Sequence, residues 1–372
     1  MRILITGDFC PRFRVAELIE KGDFAALLGD AKELTGKADY SFVNFECPVV
    51  EREAQPISKQ GPNLKCTRKG LEAVKWAGFN GVTLANNHFL DFGNAGVVDT
   101  LNACQEIGLD AVGGGKNIME ASQTLIKEIA GARLAVINCC EHEFSIATES
   151  SAGSNPLDPI AQYYAIKEAR EKADWVLVIV HGGHEHFQLP SLRMKEVYRF
   201  LIDAGADAVV NHHQHCYSGY EVYNGRPILY GLGNFCFDHN NNRTSKWVEG
   251  YGVIINFSEG VRFEIYPYQQ CGDTPGMHLL EQNAFDEHLS DLNSTIGDTN
   301  KLEKSLRDYY SKCERGVEAV LSPLSGRYYS AAINRGFAPS LISMKRKLRL
   351  ENLMCCEAHR DKLHYYLNKR MK

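Results

Sequence analysis

Five short polar clusters, each placed where a run of strand-forming residues ends, constrain this chain more than any other feature. They are Gly7-Asp8, Asn44-Phe45-Glu46, Asn86-Asn87-His88, His181-Gly182-Gly183-His184-Glu185 and His213-Gln214-His215. The runs that lead into them are Arg2–Gly7, Tyr40–Phe45, Gly81–Ala85, Trp175–Val180 and Ala208–Val210. An unbroken apolar run such as Trp175–Val180 marks a strand buried on both faces. In open α/β sheets the active crevice forms at the carboxyl ends of the strands. Clusters on five such strands can therefore meet in one place, with no further spacing rule needed to bring them together.

Between the strands lie helical segments with recognisable stops. The pattern predicts helices over Val15–Leu28, over Arg68–Ala77 closed by Gly78, and over Ala95–Glu106 closed by Gly108. Further helices are expected over Ile160–Ala173 and Met194–Ala204. After about Gly205 the order changes to antiparallel hairpins, with a turn at Asn224-Gly225 and another at Glu259-Gly260. The expected architecture is α/β: a mixed sheet or two packed sheets covered by helices. Residues 1–270 are expected to form this domain, and residues 271–372 a helical C-terminal extension.

The chemistry of the clusters is that of a metal site. Carboxylate, imidazole and amide oxygen suit Mn, Fe or Zn ions without any thiolate. The candidate ligands are Asp8, Glu46, Asn87, His181, His213 and His215. Side chains two apart on a strand face the same side, so His213 and His215 are expected to point into one site while Gln214 points away. Each oxygen of Glu46 can coordinate a different cation, which makes it the candidate bridge between two ions. Two metals ~3.5–4 Å apart can lower the pKa of a shared water and clamp a phosphoryl oxygen. Any one cluster alone is ordinary: a lone Asp caps a helix, a lone His is a satisfied core residue, and Asn-Asn makes a turn. The joint placement carries the inference.

Bulk properties narrow the class. The hydrophobic fraction of 44% and charged fraction of 23% are those of a globular protein. A net charge of −5 gives no global electrostatic case for nucleic acid. The opening MRILITGDFC has too short an apolar run for a signal peptide, and no segment reaches the ~18 apolar residues of a membrane span. With no export signal, the 12 cysteines read as free thiols in a reducing compartment, and a cytoplasmic protein is expected. Lys345–Lys372 holds nine Lys/Arg against three Asp/Glu. That tail reads either as a solvated helix face or as a contact for an acidic partner or an anionic membrane surface. The oligomeric state is not legible in the sequence.

The clusters resemble the CapA-type family, the bacterial proteins linked to poly-gamma-glutamate capsule synthesis, which has a metallophosphatase-like fold. The matching segments are GDFC at 7–10, NFECPVV at 44–50, KWAGFNGVTLANNHFLDFG at 75–93, HGGHEH at 181–186, IDAGADAVVNHHQH at 202–215 and PILYGLGNFCFD at 227–238. The resemblance implies a four-layer α/β/β/α sandwich, divalent metal ions, two in number, and a metal-dependent hydrolase of the phosphoesterase type using metal-bound hydroxide. It also implies that His88 donates a proton to the leaving group. Asp91 either orients that ring or caps the helix near Gly93. A capsule-polymer assembly factor acting by binding, and a gamma-glutamyl amide hydrolase, are the alternatives. The substrate in each case is an anionic small molecule or polymer, for which Arg12 or Arg14, Lys59 and Lys65 are the candidate contacts; Asn234 is another, or else it supports a ligand or caps a turn.

Three departures from the family pattern carry expectations of their own. Phe9-Cys10 follows Asp8 where phosphoesterases have Asp-x-His, so one ligand is missing. Glu185 either supplies it or hydrogen-bonds His181. Gly182 replaces a typical Trp and is expected to open the pocket. Gln214 replaces a Pro that would stiffen the last ligand turn.

Overall fold

Strand β1 (Arg2–Cys10) is buried along almost its whole length, and every other element is laid down around it. The structure, a computed structural model, describes residues 1–59, 61–239, 245–321, 326–343 and 347. The strands that follow are β2 (Tyr40–Phe45), β3 (Gly81–Thr83), β4 (Asp110–Val112), β5 (Gly114–Gly115), β6 (Leu125–Ile129), β7 (Ala132–Cys140) and β8 (Gly153–Ser154). After them come β9 (Trp175–His181), β10 (Ala208–His212), β11 (Tyr220–Tyr223), β12 (Arg226–Leu229), β13 (Asn234–Phe237), β14 (Glu249–Phe257), β15 (Val261–Gln270) and β16 (Met277–Leu279). The helices are α1 (Phe13–Lys21), α2 (Phe24–Thr35), α3 (Lys69–Trp76), α4 (Gly93–Ile107), α5 (Ile118–Ala121), α6 (Pro159–Lys172), α7 (Leu192–Ala204), α8 (Ser245–Val248), α9 (Asp286–Gly297), α10 (Thr299–Leu321) and α11 (Arg327–Asn334).

Two mixed sheets result. One runs β16-β15-β14-β1-β2-β3-β4, with β13 also paired to β1; the other runs β11-β12-β10-β9-β7-β6. They touch through β1 against β10, β12 against β15 and β4 against β7. Helices α1 to α4 cover the first sheet's side, and α6 and α7 pack on the second. This is the α/β/β/α layering, and it explains why β1, β2, β9 and β10 read as continuous apolar runs: both faces of each are covered.

The single helix expected over Val15–Leu28 is two. Gly22 takes a left-handed φ of 75° and closes α1, and Asp23 then caps α2 by accepting from the Ala26 N–H at 3.3 Å. A Gly-Asp pair inside an amphipathic pattern is a stop followed by a start. The hairpin at Asn224-Gly225 forms as expected, both residues having positive φ (50° and 74°).

The chain forms two compact units, Met1–Thr299 and Asn300–Lys372. The first unit runs past the change of sequence character near residue 270. There β15 pairs with β16, and α9 buries Leu289, Leu292 and Ile296. The second unit contains α10 beyond Thr299 and α11. The basic segment Lys345–Lys372 lies, apart from Lys347, outside the described residues. No helix among the described residues is long and apolar enough to cross a membrane.

Gly7 shows how tightly the two halves of the first sheet close behind the site. A Cβ there would lie 1.9 Å from the Gly233 carbonyl oxygen, which accepts from the Asp8 N–H at 3.1 Å. Gly7→Ala is therefore expected to destabilise the protein by about 3 kcal/mol, the upper range for overpacking, read as a lowered midpoint in urea unfolding.

Candidate metal centre

Asp8, within β1, and the segments just after β2 and β3 bring Asp8, Glu46 and Asn87 to one edge of the first sheet. The ends of β9 and β10 bring His181, His213 and His215 to the facing edge of the second. The site is thus built between two sheets, not along a single one. Two groups of potential ligand atoms each lie within 4.8 Å of one another: Glu46, His181 and His213, and Asp8, Glu46 and His215. Glu46 belongs to both. Its Oε1 is 3.8 Å from His181 Nε2 and 3.5 Å from His215 Nε2, and Asp8 Oδ2 is 3.5 Å from His215 Nδ1. Asn87 Oδ1 sits 3.1 Å from His181 Nε2, which is itself 3.1 Å from His213 Nδ1.

The donor set fits divalent cations. Among the described residues, both buried carboxylate oxygens of Glu46 lack a hydrogen-bond partner, although a buried carboxylate normally has at least one. Burial, and next the negative charge of Asp8, push the Glu46 carboxyl well above its ordinary value. Burial alone would also raise Asp8, but the surrounding imidazoles of His215, His212 and His181 outweigh it and hold that carboxyl below the usual range. Burial and the neighbouring His213 hold His181 well below its ordinary value, so its ring is neutral and able to ligate. Burial likewise lowers His213, with His215 adding to the effect. For His215 the pull of Asp8 overcomes burial and the ring is raised.

His213 and His215 reach the site by a different route from strand alternation. β10 ends at His212, and both histidines take left-handed backbone conformations, φ 89° and 53°. Non-glycine residues held there cost of order 1–3 kcal/mol each, which the surrounding structure must over-determine. Gln214 does point away, and its amide donates to the carbonyls of Phe187 (2.9 Å) and Leu189 (3.3 Å). Those bonds anchor the turn that lacks a Pro. The pocket expected to open at Gly182 is filled instead, since a Cβ there would lie 2.6 Å from Glu141 Cγ.

The remaining candidates divide. His88 Nδ1 lies 2.6 Å from Asp91 Oδ2, so Asp91 orients the ring; it does not cap α4, whose N-cap is Phe92. Burial lowers His88, partly opposed by Asp91. Glu185 is exposed, lies outside both ligand groups and does not hydrogen-bond His181, whose ring meets Asn44, Asn87 and His213. Arg14 is committed to Asp238 in a bidentate pair (2.8 and 2.7 Å) and to the carbonyls of Cys271, Gly272 and Asp273. Lys65 is exposed, with its ammonium 5.0 Å from the Phe92 ring. Asn234 is fully buried; it meets His215 Nδ1 at 2.9 Å and donates to the His215 carbonyl, so it holds a ligand in place and is not a surface for substrate. Arg12 keeps its guanidinium over the rings of Phe13 (4.7 Å) and Phe237 (6.0 Å). Lys59 is buried and ion-paired to Asp91.

Two contributors were not singled out from the sequence. Asn44 donates to Asp8 Oδ1 at 2.8 Å and lies 3.3 Å from His181 Nδ1, tying one sheet's ligand to the other's. His212 places Nε2 3.0 Å from the Thr6 carbonyl. Asn44 stands two residues before Glu46 on β2, and that same-face spacing was the available signal.

The α/β/β/α sandwich thus carries a candidate metal centre of two ligand groups that share one carboxylate. The profile of the family described as "Bacterial capsule synthesis protein PGA_cap" matches residues 2–239, and the chain belongs to that family. It is 32% identical over 252 residues to the capsule biosynthesis protein CapA of Bacillus anthracis, covering 66% of this chain and 61% of that one. It is 33% identical over 241 residues to the PGA biosynthesis protein CapA of Bacillus subtilis, covering 64% and 63%. The match thus spans under two thirds of these relatives' length. Among solved structures, a phosphatase from Mycoplasma pneumoniae overlaps with a TM-score of 0.47 at 16% identity, covering 73% of this chain and 95% of that one.

Glu46→Gln is expected to abolish stoichiometric uptake of Mn, Fe or Zn, measured by elemental analysis after dialysis. In metal-free protein the raised carboxyl keeps its proton in the folded state after the unfolded chain has released it near pH 4.5. Its contribution to stability is therefore present below that pH and declines as pH rises toward the folded value. The melting temperature of metal-free wild type, relative to Glu46→Gln, is expected to fall as the pH is raised above 4.5.

Proposed function

We propose that this chain is a metal-dependent hydrolase of phosphoester bonds in an anionic substrate. The observation that carries the reading is the pair of ligand groups sharing Glu46, with the His88–Asp91 pair beside them. Asp8 and His215, and Asn87, His181 and His213, would hold divalent ions together with Glu46. Bound there, such ions supply Lewis acidity toward a phosphoryl oxygen and a lowered pKa for water. The chain's own residues do the rest. Asn44 and Asn234 fix the rings of the candidate ligands, Asp91 orients His88 through Nδ1, and His88, once Nε2 has gained a proton, can pass it to the leaving oxygen. Arg12, which has no hydrogen bond or ion pair from its guanidinium among the described residues, is the anion contact at the rim.

Family membership favours a second reading, in which the site binds a capsule polymer such as polyglutamate and assists its assembly; hydrolysis of a gamma-glutamyl amide is a variant of it. A cytoplasmic location and an acidic or membrane partner for the basic tail belong to the same level of proposal. His88→Ala separates the two main readings. Hydrolysis of a phosphoester panel is expected to fall about 10²–10⁴-fold, the usual worth of a general acid, while metal content stays at the wild-type ratio. A wild-type protein that holds metal but releases no phosphate from any member of the panel would favour the binding role.

A further inference from the structure

Asp91 is the hub of an arrangement larger than the His88 pair. Its main-chain carbonyl accepts from Ile57 N–H at 2.9 Å and from the Asn63 amide at 3.1 Å. Its carboxylate is fully buried; Oδ2 accepts from Leu64 N–H at 2.6 Å and faces His88 Nδ1, and Oδ1 is ion-paired with Lys59. The Lys59 side chain is only 1% exposed. Its ammonium is 3.0 Å from His88 Nδ1 and 5.3 Å from the Phe144 ring. A lysine so placed is not a solvated surface charge, and it is too enclosed to serve as an exposed anion contact.

We infer that Lys59 is a positioning residue for His88, acting through the Asp91 carboxylate. The deduction runs on donors and acceptors. An ammonium has only protons to give. A carboxylate 2.6 Å from Nδ1 calls for that nitrogen to carry the proton, so the ammonium beside it is no donor to Nδ1, and its charge serves Asp91 Oδ1 as an ion pair. Lys59 therefore holds Oδ1 and compensates the buried charge, which leaves Oδ2 as a pure acceptor for Nδ1–H. Nε2, which has no hydrogen-bond partner among the described residues, is the ring's working nitrogen. Without Lys59 a fully buried carboxylate would stand uncompensated, and the single ring orientation would be lost. This rests on the hydrolase reading only for its catalytic consequence; the geometry stands apart from it.

The test uses the full chain with 15N-labelled histidine, with and without Zn²⁺, His88 being assigned by difference with His88→Gln. In wild type, the Nδ1 shift is expected in the protonated range and Nε2 in the unprotonated range. In Lys59→Met the two shifts are expected to move toward each other as the tautomers mix, and Lys59→Arg is expected to restore them. With bis(p-nitrophenyl) phosphate and Mn²⁺, Lys59→Met is expected to lower kcat about 10–100-fold, as loss of a ligand-orienting partner typically does, with KM within about twofold. Unchanged shifts in Lys59→Met overturn the inference, and so does an unchanged kcat in a protein whose wild type is active. If wild type is inactive but the shifts still move, Lys59 keeps its role and the hydrolase reading fails. Should Lys59→Met not fold in a thermal melt, Lys59→Gln is read in the same way.

Discussion

A fully buried carboxylate with no hydrogen-bond partner stands at the centre of this protein, and the arrangement of both sheets follows from accommodating it. Glu46 has neither oxygen satisfied among the described residues. Leaving such a group in a protein interior costs several kcal/mol unless a cation or proton meets it. The surrounding side chains are imidazoles, an amide and a second carboxylate, arranged so that each Glu46 oxygen can be shared. That is a poor design for apoprotein stability and a good one for holding divalent ions. The strained φ values of His213 and His215 belong to the same balance: local backbone cost is accepted where ligands must converge.

The ligands come from different sheets, so the site depends on how those sheets pack. Asn44 on β2 reaches both Asp8 and His181, and the Asp8 carboxylate accepts from the His213 N–H at 3.3 Å. These contacts cross from one sheet to the other within the site. The near approach of Gly7 to Gly233 serves the same end, since it lets β13 close against β1 and carry Asn234 to His215. Beyond the ligands, Asp91 fastens the segment around Ile57, Lys59, Asn63 and Leu64 to the site through its main chain and its carboxylate. Orientation of His88 and anchoring of that segment are therefore one interaction, not two.

Membership of the bacterial capsule synthesis family is compatible with a candidate metal centre, because a centre of this kind can either cleave an anionic substrate or grip it. The residues that would decide between these are the ones beside the ligands. His88, held by Asp91, has one ring nitrogen unengaged, which a gripping site does not need. Arg12 suits either role. Arg14 is removed from the question by its pair with Asp238.

The convergence of the candidate ligands was legible in the sequence, because each follows a strand-forming run, and strand ends are where an α/β sheet presents side chains to a crevice. Asp8, Glu46, Asn87, His181, His213 and His215 all meet there, whereas the sequence left Asp91 between orienting His88 and capping a helix, and packing decided for the ring. Sequence alone also determined the α/β order, the Asn224-Gly225 hairpin and the helix stops at Gly78 and Gly108. It could not determine which strands share a sheet, because pairing is set by contacts between residues far apart in the chain. Nor could it reveal that His213 and His215 sit on left-handed turns, since spacing is the same for a strand and for a turn that ends alike. By residue type, Lys59 was assigned to substrate, Asn234 to substrate, to the support of a ligand or to a turn cap, and Gly182 to open space. Only tertiary packing decided that each is buried against a particular partner, Asp91, His215 and Glu141, and burial is a property of the neighbours a residue acquires, not of the residue itself.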